Sequence, residues 1–140
     1  MAVLRGAAKS LKALRIRGIV CSGKGEGTKF IKLPWVKKQI TEKLGFTPHL
    51  GTLNIKLTKE SLKHRSLLEK TEATEISPAT GFSRGRCFKA NLTNNLKCAV
   101  VVPEITNYPR DIIEIIAPTN LREKLKLKDG DSVEVKILMG

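Results

Sequence analysis

The sequence predicts a mainly β fold: a small closed barrel of short strands, with two or three short helices in the connections. Six or seven short apolar or alternating runs indicate the strands, and one such run lies near each end of the chain. Strands this short favour a closed barrel over a parallel sheet. The 140 residues suffice for one domain, whose core is aliphatic because aromatic residues make up only 4% of the chain.

The first two elements are predicted to be a helix and a strand. Residues 1–14 place apolar side chains at helical spacing with basic residues off that stripe, which predicts an amphipathic helix or extension on the outside of the domain. The single barrel domain is expected to cover residues 15–140. Its first strand is predicted over residues 15–21, because Ile16 and Val20 would share one face.

A glycine segment, residues 22–30 (Ser-Gly-Lys-Gly-Glu-Gly-Thr-Lys-Phe), follows this strand. Glycine lets backbone N–H groups turn toward a ligand and approach it closely, and Lys24, Thr28 and Lys29 add positive charge and a hydroxyl. This chemistry suits phosphate, although the spacing matches neither a P-loop nor the dinucleotide-binding fingerprint. From the segment alone, a phosphate-binding loop and a flexible hairpin turn both stay open.

The elements after the glycine segment are predicted from their boundaries and periodicity. A short strand is expected over residues 30–33, followed by a helix that starts at Pro34 and ends before Gly45. Asn120 is expected to cap a short helix, because Glu123 lies three residues later. The other predicted elements are, in chain order, a strand over 52–57, an exposed charged helix over 58–70, an edge strand over 71–76, a loop over 77–85, a hairpin of 86–92 and 96–102, a loop over 103–110, and strands over 111–116 and 132–138.

The net charge of the protein indicates which kinds of partner to expect. A formal net charge of +13, from 26 basic against 13 acidic residues, predicts a polyanionic partner: nucleic acid, a membrane surface or the phosphates of a nucleotide. Cys21, Cys87 and Cys98 show no C-x-x-C spacing, so they are predicted to be reduced thiols of a cytoplasmic protein. No apolar run reaches membrane-spanning length, and basic residues interrupt any signal-peptide core.

Two polar residues on one predicted strand form a candidate metal site. Thr52 and Asn54 are two positions apart, so their oxygens project from the same face. A hydroxyl beside a carboxamide can hold Mg²⁺, an ion that needs few protein ligands because it also binds waters and substrate phosphates. The other interpretation is the polar outer face of a half-buried strand, which the spacing alone favours.

Glu114 is the candidate catalytic residue because it interrupts the apolar run Ile112–Ile116. A carboxylate in such a run is expected to be partly buried, and burial without a partner is costly. Glu114 is therefore either paired with a donor for structural reasons or serves as a general base that takes a proton from a hydroxyl. Both interpretations stay open from the sequence.

Several segments together resemble the archaeal CTP-dependent riboflavin kinases, over roughly residues 14–138. The resemblance implies a six-stranded Greek-key barrel of the cradle-loop type, which transfers the γ-phosphate of CTP to the 5′-hydroxyl of riboflavin and so gives FMN and CDP. The segments that carry it are residues 22–30, Gly51-Thr-Leu-Asn-Ile-Lys-Leu57, Val101-Val-Pro-Glu-Ile-Thr106, Asp111-Ile-Ile-Glu-Ile-Ile-Ala-Pro-Thr-Asn-Leu-Arg-Glu123 and the tail 125–135.

Carried over residue by residue, the resemblance also implies roles in the site. Mg²⁺ would be held by Thr52 and Asn54, and the flavin would be contacted by Thr106 and Glu114, with Glu114 activating the hydroxyl. The implied nucleotide-binding residues are Lys24, Gly25, Glu26, Gly27, Thr28, Lys29, Thr119, Asn120, Leu121 and Arg122.

The resemblance implies riboflavin and CTP as substrates. We also expect a monomer that has no membrane partner. Some members of the family carry a DNA-binding domain ahead of the kinase. Residues 1–14 are too few for such a domain, so regulation by that route is not expected. Residues 58–85 match no segment of the family pattern.

A nucleic-acid-binding barrel is the competing interpretation. The C-terminal pattern, with Lys128-Asp-Gly-Asp131 ahead of an alternating strand, also resembles swapped-hairpin barrel transcription regulators, and the high positive charge would suit DNA or RNA. Aromatic residues are scarce, however, and the basic residues are dispersed, whereas nucleic-acid binding usually combines stacking aromatics or a basic helix on one face. The kinase interpretation is therefore preferred.

Overall fold

Seven strands and four helices make up the described part of the computed structural model, which covers residues 13–23, 26–70, 73–77, 85–92, 95–103 and 108–138. The strands are β1 (Ala13–Cys21), β2 (Leu53–Leu57), β3 (Thr74–Ile76), β4 (Gly85–Leu92), β5 (Leu96–Pro103), β6 (Ile112–Ile116) and β7 (Ser132–Leu138). The helices are α1 (Glu26–Ile31), α2 (Pro34–Leu44), α3 (Lys59–Lys70) and α4 (Leu121–Leu125).

The strands form one antiparallel sheet in the order β3-β4-β5-β6-β2-β1-β7. This sheet closes on itself because β7 also pairs with β4, with Ala90 opposite Ile137. The closed part is a barrel of six strands, and β3 adds to the remaining edge of β4 as the edge strand that the sequence predicts. The prediction of a small closed six-stranded barrel is confirmed.

The barrel interior is filled by the inward side chains of every strand. Along β1 the pattern alternates, so that Ile16 and Val20 are buried while the residues between them are exposed, except at the inward Gly18. Gly18 has to be glycine because β1 lies close to β2 here: an added Cβ would come within 2.3 Å of Ile55 Cγ2 and 2.6 Å of the Lys56 carbonyl oxygen. Close approach of these two strands therefore depends on this one position.

A second apolar layer covers the outside of the barrel. Helices α1 and α2 bury Phe30, Ile31, Val36 and Ile40 against outward side chains of β4, β5 and β6, and Trp35 packs edge-on to Phe30 with ring centroids 6.2 Å apart. Strands β5 and β6 are consequently buried on both faces. This explains why their sequences are continuous apolar runs rather than alternating ones.

The prediction of a strand over residues 30–33 is wrong, because helix α1 occupies Glu26–Ile31. Gly27, Phe30 and Ile31 are all buried, at the three- and four-residue spacing of one helix face. A short apolar run does not distinguish a strand from a helix by periodicity. For the same reason the described helices number four rather than two or three.

Other boundaries also differ from the prediction. Strand β1 begins at Ala13, so the last two residues of the predicted helix over 1–14 are strand, and residues 1–12 lie outside the described residues. Helix α3 forms as predicted but is not simply exposed, since Ser61, Arg65 and Leu68 are buried. Most of the loop predicted over 77–85 lies outside the described residues, and Gly85 already belongs to β4.

Most of the remaining local predictions are confirmed, but residues 104–107 of the loop predicted over 103–110 lie outside the described residues, and Pro103 belongs to β5. Helix α2 starts at Pro34 and ends at Gly45, whose φ of +82° is left-handed. The hairpin of β4 and β5 turns through Asn95 at φ +59°, and the Asn120 side chain accepts from the Glu123 backbone N–H at 3.2 Å. Among the described residues, no helix is long and apolar enough to cross a membrane.

Candidate active site

Three polar side chains share the outer face of the barrel where β2 meets β6. Leu53 and Ile55 point into the core, so the residues between and before them, Asn54 and Thr52, face outward. Asn54 lies directly opposite Glu114 across the β2–β6 pairing. The strand register therefore brings together the predicted metal ligands and the predicted carboxylate.

Glu114 is buried, with only 1% of its surface exposed. Its carboxylate accepts hydrogen bonds from three donor groups of the described residues. The backbone N–H of Gly27 donates to both oxygens, at 3.1 Å to Oε1 and 2.9 Å to Oε2. The Thr52 hydroxyl donates to Oε1 at 2.5 Å, and the Tyr108 hydroxyl donates to Oε2. These hydrogen bonds compensate for the burial of the carboxylate, and they join three segments that are distant in the sequence.

The hydrogen bonds around Thr52 have a defined direction. A carboxylate only accepts, so the single hydroxyl proton of Thr52 is committed to Glu114. The Thr28 and Thr52 hydroxyl oxygens are 3.3 Å apart, and Thr28 must then be the donor of that pair. Thr28 in turn accepts from the Thr52 backbone N–H at 3.2 Å. The chain of donors thus runs from Thr28 through Thr52 to Glu114.

The glycine segment packs directly on this polar face. A Cβ added to Gly23 would come within 2.1 Å of Asn54 Oδ1, and one added to Gly27 would come within 2.2 Å of Glu114 Oε1. Only glycine permits both contacts. The segment is not a simple hairpin turn, because its second half begins helix α1. Phosphate binding by this segment stays a prediction.

An open cavity of about 400 Å³ lies beside Thr52 on this side of the barrel. One wall is formed by the segment before helix α4 and its first turn. His49, whose backbone N–H donates to the Ala117 carbonyl at 2.7 Å, also lines the cavity. The predicted nucleotide residues Thr119, Asn120, Leu121 and Arg122 all line this cavity together with Thr52.

Arg122 connects helix α4 by hydrogen bonds to the chain just before the glycine segment. Its Nη2 donates to the Cys21 carbonyl at 3.2 Å and to Asp129 Oδ1 at 2.7 Å. The Ser22 hydroxyl donates to the other carboxylate oxygen of Asp129 at 2.8 Å. The Ser22 hydroxyl and the Arg122 guanidinium together lower the pKa of Asp129, so this carboxylate stays charged and keeps both partners in place.

Some predicted site residues fall outside this assembly. Lys24, Gly25 and Thr106 lie outside the described residues, as does the side chain of Glu26. Lys29 is exposed on α1. The sequence reasoning missed Tyr108, because a donor six residues before Glu114, in a loop, shows no periodicity. The expected burial of Glu114 was the only signal that such a donor must exist.

The donors available to a cation are neutral oxygens. Within the described parts of the chain, no group of three or more His, Cys, Asp or Glu side chains is placed to hold a metal ion. The Thr52 hydroxyl oxygen and the Asn54 carboxamide oxygen are hard donors of the kind Mg²⁺ prefers. The Asn54 side chain is only half-buried, although Gly23 packs closely against its carboxamide on one side. This donor set fits Mg²⁺ bound together with a polyphosphate.

Comparison with known proteins identifies relatives that align with most of this chain. A family model named for CTP-dependent riboflavin kinases, with the description "Domain of unknown function DUF120", matches residues 20–137. A riboflavin kinase of Pyrobaculum aerophilum is 46% identical over 137 residues, which is 93% of this chain and 63% of that protein.

Two further relatives show the same pattern of coverage. A riboflavin kinase of Methanosarcina barkeri is 44% identical over 131 residues, which is 91% of this chain and 58% of that protein. A riboflavin kinase of Archaeoglobus fulgidus is 40% identical over 130 residues, which is 90% of this chain and 55% of that protein. The chain therefore spans less than two thirds of the length of these curated relatives.

Proposed function

The chain belongs to the CTP-dependent riboflavin kinase family, and from this membership we propose that it transfers the γ-phosphate of CTP to the 5′-hydroxyl of riboflavin, giving FMN and CDP. One observation carries the proposal: Thr52 joins the buried carboxylate of Glu114 to the open cavity lined by residues 119–122. A phosphoryl transferase needs this juxtaposition, because the donor phosphate must lie in line with the acceptor hydroxyl.

The nucleotide would occupy the cavity beside Thr52. Arg122 is partly exposed there and supplies positive charge. The triphosphate would extend toward residues 24–29 of the glycine segment and would be contacted by their backbone N–H groups, except that of Gly27, which donates to Glu114. The net charge of +13 would favour the encounter with a polyanionic nucleotide.

Mg²⁺ would be held by Thr52 and Asn54, with the rest of its ligands coming from water and phosphate oxygens. When bound, the ion neutralises charge on the phosphates and orients them for transfer. Glu114 supports this role by accepting the hydrogen bond of the Thr52 hydroxyl; because Thr28 donates to one lone pair of the Thr52 oxygen, the other lone pair is the part that can face a cation. Asn54 lies next to Glu114 and is held close to Gly23.

Riboflavin would bind on the Glu114 side of the polar face, with Thr106 among its contacts. Glu114 would accept the proton of the 5′-hydroxyl as the new oxygen–phosphorus bond forms. Proton removal of this kind contributes roughly 10²- to 10⁴-fold to a rate. Alignment and charge neutralisation would supply the larger part of the acceleration.

The test of the proposed function is riboflavin phosphorylation by the purified protein, with CTP, ATP, GTP and UTP compared in parallel in the presence of Mg²⁺. We expect FMN and CDP in equal amounts with CTP, and little FMN with ATP. If none of the four nucleotides supports FMN formation, and circular dichroism shows that the protein is folded, the kinase proposal is rejected. A salt-dependent titration with DNA and RNA would then test the competing interpretation, since nucleic-acid affinity falls steeply with salt.

A further inference from the structure

Glu114 cannot meet the acceptor hydroxyl directly in this arrangement, because its carboxylate is 1% exposed and lies beneath its own donors. If Glu114 takes the proton, as the proposed function requires, the proton must reach it through one of those donors. The candidates are the Gly27 backbone N–H, the Thr52 hydroxyl and the Tyr108 hydroxyl.

Chemistry removes the first candidate. An amide nitrogen donates its proton but has no lone pair available to accept another, so Gly27 can only hold the carboxylate in place. A hydroxyl oxygen, in contrast, can accept one hydrogen bond while it donates another. Only Thr52 and Tyr108 among these donors can therefore pass a proton inward.

Position distinguishes the two hydroxyls. Thr52 donates to Oε1, and it also lines the cavity in which the nucleotide would bind. Tyr108 donates to the other oxygen, Oε2, and is only half-buried. Thr52 therefore lies on the side where CTP would bind. Tyr108 reaches the Glu114 carboxylate from a different direction, out of the loop before β6. A phenol is also a stronger acid than an aliphatic hydroxyl, which suits it better to proton transfer.

We propose that Tyr108 is a catalytic residue that relays the proton of the acceptor hydroxyl to Glu114. The oxygen of the acceptor attacks the γ-phosphorus, and the bond from that phosphorus to the β–γ bridging oxygen breaks, so that the nucleoside diphosphate leaves with the electron pair. The proton of the acceptor hydroxyl moves to the Tyr108 oxygen while the Tyr108 proton moves to Glu114 Oε2. Tyr108 ends neutral, and Glu114 carries the released proton.

The first test is Tyr108→Phe, which keeps the ring and removes only the hydroxyl. We expect kcat to fall by about 100-fold, with KM for riboflavin and for CTP changed by less than about threefold, because the relay acts in the transition state. Adding Glu114→Gln to this variant should lower kcat little further, since both residues serve one proton transfer. Ser66→Ala is the matched control: among the described residues its hydroxyl bonds only the Lys63 carbonyl on α3, and the variant should keep full activity.

A second measurement covers the case in which Tyr108→Phe folds poorly. Tyr108 is the only tyrosine in the chain, so biosynthetic incorporation of fluorotyrosines changes the acidity of this phenol alone. We expect kcat to vary progressively with that acidity. A kcat that stays constant across the fluorotyrosines, or a Tyr108→Phe variant that retains wild-type kcat, would overturn the relay. In both cases an active wild-type protein leaves the kinase proposal standing, whereas an inactive wild-type protein rejects both.

Discussion

Glu114 shows how far a single residue can be predicted from the sequence. The apolar run on either side of it predicts its burial, and the structure confirms that burial. The identity of its donors was not predictable, because the Gly27 N–H lies 87 positions away and the Thr52 hydroxyl lies 62 positions away. Only the pairing of β2 with β6 and the packing of α1 on that face bring these groups together.

Asn54 allows a test of the proposed metal site. Asn54→Ala removes a hard oxygen donor from an outward-facing position, so we expect the affinity for CTP with Mg²⁺ to fall by about tenfold or more while the fold is kept. Calorimetric titration with CTP, in Mg²⁺ and then in EDTA, measures the difference. Asn91→Ala, which removes a carboxamide from β4, is the control. Equal CTP affinity of wild type and Asn54→Ala in Mg²⁺ would remove the metal assignment.

The three cysteines are free thiols whose reactivity should differ. Burial raises the pKa of Cys87 and of Cys98 to about 12, so the reactive thiolate is almost absent from either residue at pH 8. Burial also raises the pKa of Cys21, but this residue is partly exposed. We expect iodoacetamide to modify Cys21 first and the other two only on unfolding. Mass spectrometry of native protein with all three cysteines modified at one rate would contradict this order.

At the scale of whole elements, local signals predicted the described strands and three of the four described helices, α2, α3 and α4. Alternation was sufficient for β1, β2 and β7, and Pro34, Gly45 and Asn120 mark helix ends where the structure has them. Helix α1 was missed because its six residues are too few to show a period and because its packing partners are distant in sequence. Its first turn is held by the carboxylate of Glu114, a contact that no local pattern contains.

Helix α3 provides a test of packing at this scale. Leu68 is fully buried in the barrel core, whereas its neighbour Leu67 is 36% exposed. We expect Leu68→Ala to lower the free energy of unfolding by roughly 2–5 kcal/mol, because it leaves a cavity. Leu67→Ala should cost less than about 1 kcal/mol. Urea denaturation of the two variants measures the difference, and similar losses in both would show that Leu68 does not pack in the core as described.

At the scale of the whole molecule, closure of the barrel was predictable and its exact pairing was not. A strand near each end of the chain indicated closure, and β1 does pair with β7 over Ala13–Ile19. The second contact of β7, with β4, and the division of that edge between β3 and β7 depend on the curvature of the complete sheet. The polar face on which the site lies is a product of this closed arrangement.

The central claim is that Glu114 and its donors form the reacting centre of a phosphoryl transferase. The most direct measurement is FMN formation from riboflavin and CTP by wild type and by Glu114→Gln, together with the riboflavin affinity of each. We predict that turnover of the variant falls by about 100-fold while riboflavin affinity changes by less than about threefold. Unchanged turnover, or equal loss of turnover and affinity through unfolding, would contradict the claim and identify Glu114 as a structural carboxylate.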